Sequence, residues 1–235
     1  MKSHERTISR RVIHNTEGHN NISQVVPSNK QLGGFFMSNS KTRKLVEGAA
    51  MVALATVLSY IRVFKLPWGG SVTLLSMLPI VVYSLRWGIK DGFMVSFVFS
   101  LVQFFQGIGD GLFGWGLSPA MLVACIVIDY LGAFTVLGIA GFMRDKKSSA
   151  TANGIIGVTV AIVLRFICHF LSGVVIWHSF GELWEGFATE NEWLYSLLYN
   201  GAYMLPELIF TLVATIILFN ITGTRKLLLD TDKIA

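Results

Sequence analysis

The chain has 235 residues, 53% of them hydrophobic and only 14% charged, with a mean hydropathy of +0.59. That balance excludes an ordinary soluble domain and reads as an integral membrane protein in a lipid bilayer. The net charge of +5 does not point to nucleic acid, because the basic residues gather at the ends of apolar runs, where membrane topology accounts for them.

Residues 1–40 are rich in Asn, Ser, His and Gln and lack an apolar signal-peptide core, so they read as a disordered cytoplasmic tail. Met37 opens MSNSKTRKLVEGA, which has the look of a natural start, so an over-extended beginning is an equal reading. A transmembrane domain is expected over 41–224, followed by a short cytoplasmic tail over 225–235.

Six apolar segments follow the tail, at about 44–63, 71–86, 89–107, 119–143, 153–178 and 194–221. Most are long enough to cross about 30 Å of hydrocarbon; the second is short, compatible with a tilted or re-entrant segment. With the N-terminus inside, Lys41, Arg43, Lys44, Arg86, Lys90, Arg144, Lys146, Lys147, Arg225 and Lys226 share the cytoplasmic side, against Arg62 and Lys65 opposite. Both termini are therefore expected in the cytoplasm. The last outer loop holds Glu182, Glu185, Glu190 and Glu192, either a solvated face or a field that steers a cation. Cys125 and Cys168, the only cysteines, lie in apolar runs without metal spacing and read as small buried hydrophobes.

On the first segment, Ala49 and Ala53 make a small-xxx-small pair that permits close helix approach, inside the protein or against a partner. Trp68 and the following Gly69, Gly70 and Ser71 read as a plain turn or as a loop that lids a pocket. The fourth segment carries Asp129 in AMLVACIVIDYLGAF, about 15 Å below its outer end at 1.5 Å per residue. The fifth carries Arg165, His169, Gly173 and Trp177, spaced by four. An ideal helix drifts about 40° per such step, so these four lie on one slowly turning stripe.

Ionisable groups at hydrocarbon depth are expensive and are functional candidates by default. Tyr195 and Asn200 open the sixth segment near the same outer level, so polar groups of three segments converge. A buried carboxylate demands a positive or donor partner, and aromatic faces attract delocalised cations. Asp129 with Tyr130, Trp177 and Tyr195 suits a flat cationic heteroaromatic solute; the plainer alternative is a structural bridge from Asp129 to Arg165 or His169. Glu207, after Pro206, reads either as a second polar partner or as a protonated residue beside a kink.

LRFICHFLSGVVIW, DYLGAFTVLGIAG, GGSVTLLSMLPIVVYSLRWG and YSLLYNGAYML together resemble the thiamine-specific substrate-binding subunits of energy-coupling factor transporters, over about Lys44 to Asn220. The resemblance implies an all-α bundle of six transmembrane helices that holds thiamine near the outer side and docks onto a transmembrane scaffold subunit driven by two ATPases. It implies that Asp129, in the place of an acidic residue often Glu, meets the cation, followed by Tyr130. His169 and Trp177 match the His and Trp that contact and stack on the vitamin, Tyr195 and Asn200 match the pair that contacts the aminopyrimidine, and Arg165 replaces a basic residue. Ala49 and Ala53 match the small residues that dock the scaffold.

This chain departs from the pattern at Leu74, where some members carry Glu, in a longer outer loop between Gln106 and Pro119, and in Asp for Glu at 129. The expectation is a thiamine-capturing subunit without cofactor or metal. It has no Walker loop, so ATP chemistry falls to the partners. The alternatives are a subunit for another vitamin or a thiamine precursor, and an intramembrane hydrolase using His169 with Ser172 or Ser196.

Overall fold

The computed structural model describes residues 29–66, 70–178, 181–223 and 225. The expected tails therefore lie mostly outside the described residues, as do Trp68 and Gly69 of the candidate lid. Six helices are described: α1 (Asn29–Tyr60), α2 (Leu78–Trp87), α3 (Ile89–Gly109), α4 (Pro119–Met143), α5 (Ala150–Trp177) and α6 (Glu192–Asn220). Because α1 begins at Asn29, residues 29–40 have helical backbone where the sequence suggested tail.

By length and composition α3, α4, α5 and α6 can each cross a membrane. Their outward faces carry bare hydrocarbon. On α5, Ile167, Leu171 and Val175 are 41–57% exposed, on the side away from the Arg165 stripe. Such a surface would be a liability in water and is the ordinary one in lipid.

The second apolar segment corrects its expected form. Residues 71–86 do not make one helix: β1 (Arg62–Lys65) and β2 (Ser71–Thr73) pair antiparallel, with Arg62 opposite Thr73 and Lys65 opposite Ser71. The hairpin turns inward, so Thr73 and Ser76 are buried. Only then does α2 begin, with Pro79 in its first turn, where a missing N–H costs nothing. Its 10 residues cover about 15 Å, too short to cross alone, yet every residue from Pro79 to Trp87 is buried. α2 packs against all five other helices and forms the axis of the core.

One end of the bundle is clamped by charge. Glu47 of α1 accepts from Arg43 at 2.8 Å, from Arg86 Nη2 at 3.3 Å and from the indole of Trp87 at 2.9 Å, while Lys44 pairs with Asp91 at 2.7 Å. At the other end a second hairpin, β3 (Gly181–Trp184) with β4 (Phe187–Thr189), builds the acidic loop and is held by the stacked rings of Trp184 and Phe187 at 4.9 Å.

α3 and α4 approach with almost no side chain between them. A Cβ on Gly138 would lie 2.5 Å from the backbone nitrogen of Phe93, and one on Gly141 would lie 2.5 Å from the carbonyl carbon of Gly88. Close approach through small residues is the usual helix contact where lipid supplies no hydrophobic drive. Gly138→Ala is expected to destabilise the fold by about 1–3 kcal/mol, since backbone cannot step aside as a side chain would. Gly109→Ala, whose Cβ would meet nothing within 4 Å, is the control. Thermal unfolding in detergent reads both, and equal midpoints would refute a rigid α3–α4 seam.

Candidate functional site

α4 is not a uniform helix. It is α over Pro119–Cys125, widens to a π-type turn over Ile126–Gly132 and tightens to 3₁₀ over Val136–Met143. Asp129 sits in the wide turn. α5 widens likewise over Gly173–Trp177. A wider turn advances less per residue, which swings Trp177 back toward the line of Arg165 and His169 instead of letting it drift on. Such turns are frequent at functional sites, and here both carry residues of the same constellation.

Three donors of α5 converge on the Asp129 carboxylate. His169 Nδ1 lies 3.0 Å from Oδ1, Ser172 Oγ donates to Oδ2, and the Trp177 indole N–H donates to Oδ2 at 3.4 Å. The Asp129 side chain is 15% exposed and faces a cavity of about 1150 Å³, counting its open mouth. The imidazole of His169 is held edge-on between Phe134 and Tyr203, with ring centroids 6.4 and 6.1 Å away. Its Nε2 is buried without a hydrogen-bond partner. Gly173 lets α6 approach, for a Cβ there would meet Ser196 Oγ at 2.2 Å.

All seven residues singled out from the sequence, Asp129, Tyr130, His169, Trp177, Tyr195, Asn200 and Arg165, line this cavity. Their environments differ. The Asn200 amide is engaged within the protein, donating to Ser196 O at 2.9 Å and His169 O at 3.3 Å and accepting from Tyr203 OH at 2.7 Å. It ties α6 to α5. Arg165 does not pair with Asp129; its guanidinium lies 4.1 Å from the Phe134 ring centroid. The bridge weighed from the sequence therefore runs to His169. Tyr130 is packed beside Phe104, and a Cβ on Gly107 would come within 2.3 Å of its hydroxyl, so glycine is needed there.

Ala49 and Ala53 lie away from the cavity on an exposed face of α1.

Sequence reasoning missed other residues of the wall. Trp115, from the loop between α3 and α4, packs on Trp177 at 5.5 Å and doubles the indole surface. Tyr199 stacks on Tyr195 at 6.2 Å and accepts from the Gly70 N–H at 3.2 Å, so it braces the first hairpin. The tyrosines at 195, 199 and 203 recur every four residues, a stripe on α6 parallel to that on α5 and visible in the sequence. Trp115 left no such signal, because loop geometry alone brings it over. Ser172 donates to Asp129 and Ser196 to the Phe170 carbonyl, so neither serine is posed against His169 as a nucleophile would be.

Arg62 and Lys65, the two basic residues apart from the rest, converge on Asp110 at the mouth. Arg62 is bidentate at 2.9 and 2.6 Å, and Lys65 lies at 3.4 Å. The Arg62 hydrogen bond and charge hold the Asp110 carboxyl below its ordinary range against the opposing effect of burial.

A helical bundle with a hydrocarbon exterior and a polar, aromatic-lined cavity open at one end defines a multi-pass membrane protein built to hold a small solute. The comparisons agree. The thiamine transporter protein family (Thia_YuaJ) matches residues 45–226. The thiamine transporter ThiT of Bacillus subtilis is 34% identical over 201 residues, 81% of this chain and 95% of that one. ThiT of Lacticaseibacillus paracasei is 26% identical over 75% of this chain and 87% of that one. A solved structure of ThiT from Listeria monocytogenes shares the fold with a TM-score of 0.62 at 22% identity, covering 78% of this chain and 96% of that one. The chain belongs to the thiamine transporter protein family.

The mouth gives a pH dependence with a definite sign. A carboxyl whose folded pKa is depressed stabilises above its unfolded value, about 3.9, and loses that contribution as pH falls through the folded value. Asp110→Asn is expected to cost at most about 1 kcal/mol at neutral pH, the range of a partly exposed pair, and to flatten stability below about pH 4. Unfolding midpoints of both proteins between pH 7 and 3 check this, and parallel curves would refute it.

Proposed function

We propose that this chain is the substrate-binding membrane subunit of an energy-coupling factor transporter, capturing thiamine from outside for ATP-driven uptake. The observation that carries the reading is a cavity-facing carboxylate, Asp129, held by His169, Ser172 and Trp177 beside paired indoles. Thiamine is a permanently cationic solute with two flat heteroaromatic rings joined by a methylene. Its thiazolium charge matches the carboxylate, and its rings match Trp177, Trp115 and the α6 tyrosines. His169, with a free ring nitrogen, supplies polar contact. Tyr130, Tyr195, Asn200 and Arg165 complete the wall, Asn200 by holding its neighbours as much as by touching the vitamin.

In this reading six segments cross the bilayer, the second of them as α2 continued by its hairpin, and both termini face the cytoplasm. The exposed Ala49 and Ala53 are the place where the scaffold subunit docks, and the two ATPases act through that subunit. The shorter reach of Asp129 and the presence of Leu74 keep a thiamine precursor as the second reading, which a competition titration separates.

Asp129→Asn removes the charge but keeps the shape. It is expected to weaken thiamine binding by more than tenfold, equivalent to about 1.4 kcal/mol. Tryptophan quenching of the purified protein measures it, and an unchanged dissociation constant in a folded variant would sink the role of Asp129.

A further inference from the structure

Trp177 is the last residue of α5. His178 beyond it turns into left-handed backbone at φ 43°, so the helix stops there and its final turn lacks part of its hydrogen bonding. The bond from the indole N–H to Asp129 is 3.4 Å, longer than the roughly 2.7–3.2 Å of an ordinary N–H···O bond. Neither the backbone nor that bond is enough to fix the ring. Trp115 supplies the missing constraint, with ring centroids 5.5 Å apart and planes at 57°, inside the range in which aromatic pairs attract.

Trp115 is itself set by the loop that carries it. Asp110 at the start of the loop is held by Arg62 and Lys65 of β1. Gly111 and Gly116 take φ of 96° and 77°, turning the chain on either side of a 3₁₀ turn over Leu112–Gly114. Leu112, 1% exposed, is sunk with Cys125 of α4 and Ile176 of α5 into a small core against which both tryptophans pack. Trp115 and Trp177 line the cavity, whereas Leu112 stands outside its wall. The loop is thus shaped before any solute arrives.

The same separation decides which face of Trp177 is usable. A ring sandwiched between two others needs about 7 Å between them, twice the ordinary contact distance; 5.5 Å leaves no such gap. A stacking solute therefore meets the face that Trp115 leaves open. A side chain fixed in advance also loses less freedom on binding.

We propose that Trp115 is a positioning residue for Trp177: from the α3–α4 loop it backs the indole and holds it in the pose that presents one face and the N–H to the cavity. The proposal rests on the reading of thiamine as the solute that stacks on Trp177. Trp115 then acts on affinity through its neighbour.

The test uses the full chain in detergent, titrated with thiamine by calorimetry, whose signal does not depend on the number of tryptophans. Trp115→Ala is expected to weaken binding about fivefold, and a loss under about twofold in a folded variant overturns the proposal. In a Trp177→Ala background the same change is expected to cost under about twofold, because the residue it positions is gone. Losses that multiply independently in the double variant overturn the positioning role. Trp115→Phe, which keeps a ring against Trp177, is expected to recover most of the loss seen with alanine; a phenylalanine variant as weak as the alanine one counts against the proposal. Should alanine prevent folding, Trp115→Leu and Trp177→Phe make the same cycle with most of the volume kept, and the same outcomes decide. Absence of thiamine binding by the wild type would reject the functional reading itself, a different outcome from tight binding with independent losses.

Discussion

The arrangement depends on one constraint: a carboxylate at position 129 is placed where water is scarce. Taking such a charge out of water costs several kcal/mol unless donors surround it. α5 supplies three within a little over two turns, His169, Ser172 and Trp177. That requirement fixes the rotation of α5 relative to α4 and explains why both helices widen beside the contact. Because the donors approach from one side, the carboxylate still faces the cavity.

A second consequence concerns the backbone. Non-helical chain at hydrocarbon depth is tolerated only when protein or a cavity surrounds it. The β1–β2 hairpin meets this condition through side chains of α6. Tyr199 accepts the Gly70 N–H, and Glu207 accepts the Thr73 N–H. The tyrosine stripe and Glu207 thus both line the cavity and hold the segment that closes its side. The wall of the cavity and the position of the hairpin are mechanically linked through the same residues.

The exterior follows the opposite logic. Apolar residues on α5 and α6 point outward, and the glycine seam between α3 and α4 brings backbones together where lipid gives no incentive to associate. Outside the cavity, the ion pairs gather at the two ends. The Glu47 cluster closes one, and the Asp110 cluster, with its two outlying cations, stands at the mouth of the cavity.

Apolar runs and four-residue spacing by themselves determined that this is a helical membrane protein, that Arg165, His169 and Trp177 share a stripe on one helix, and that Asp129 on another lies at a depth similar to that of His169. Those features are local: helix period and hydrocarbon thickness convert directly into position. The β1–β2 hairpin ahead of α2 was not legible, since strands of 4 and 3 residues are too short to show the alternation that marks a strand. Nor was the partnership of Asp129 with His169 in preference to Arg165, or the arrival of Trp115 from a distant loop, or the engagement of the Asn200 amide by its own neighbours. Tertiary structure decided these, because which donor a buried charge finds depends on helix rotation and crossing. Those are set by packing among segments far apart in the chain.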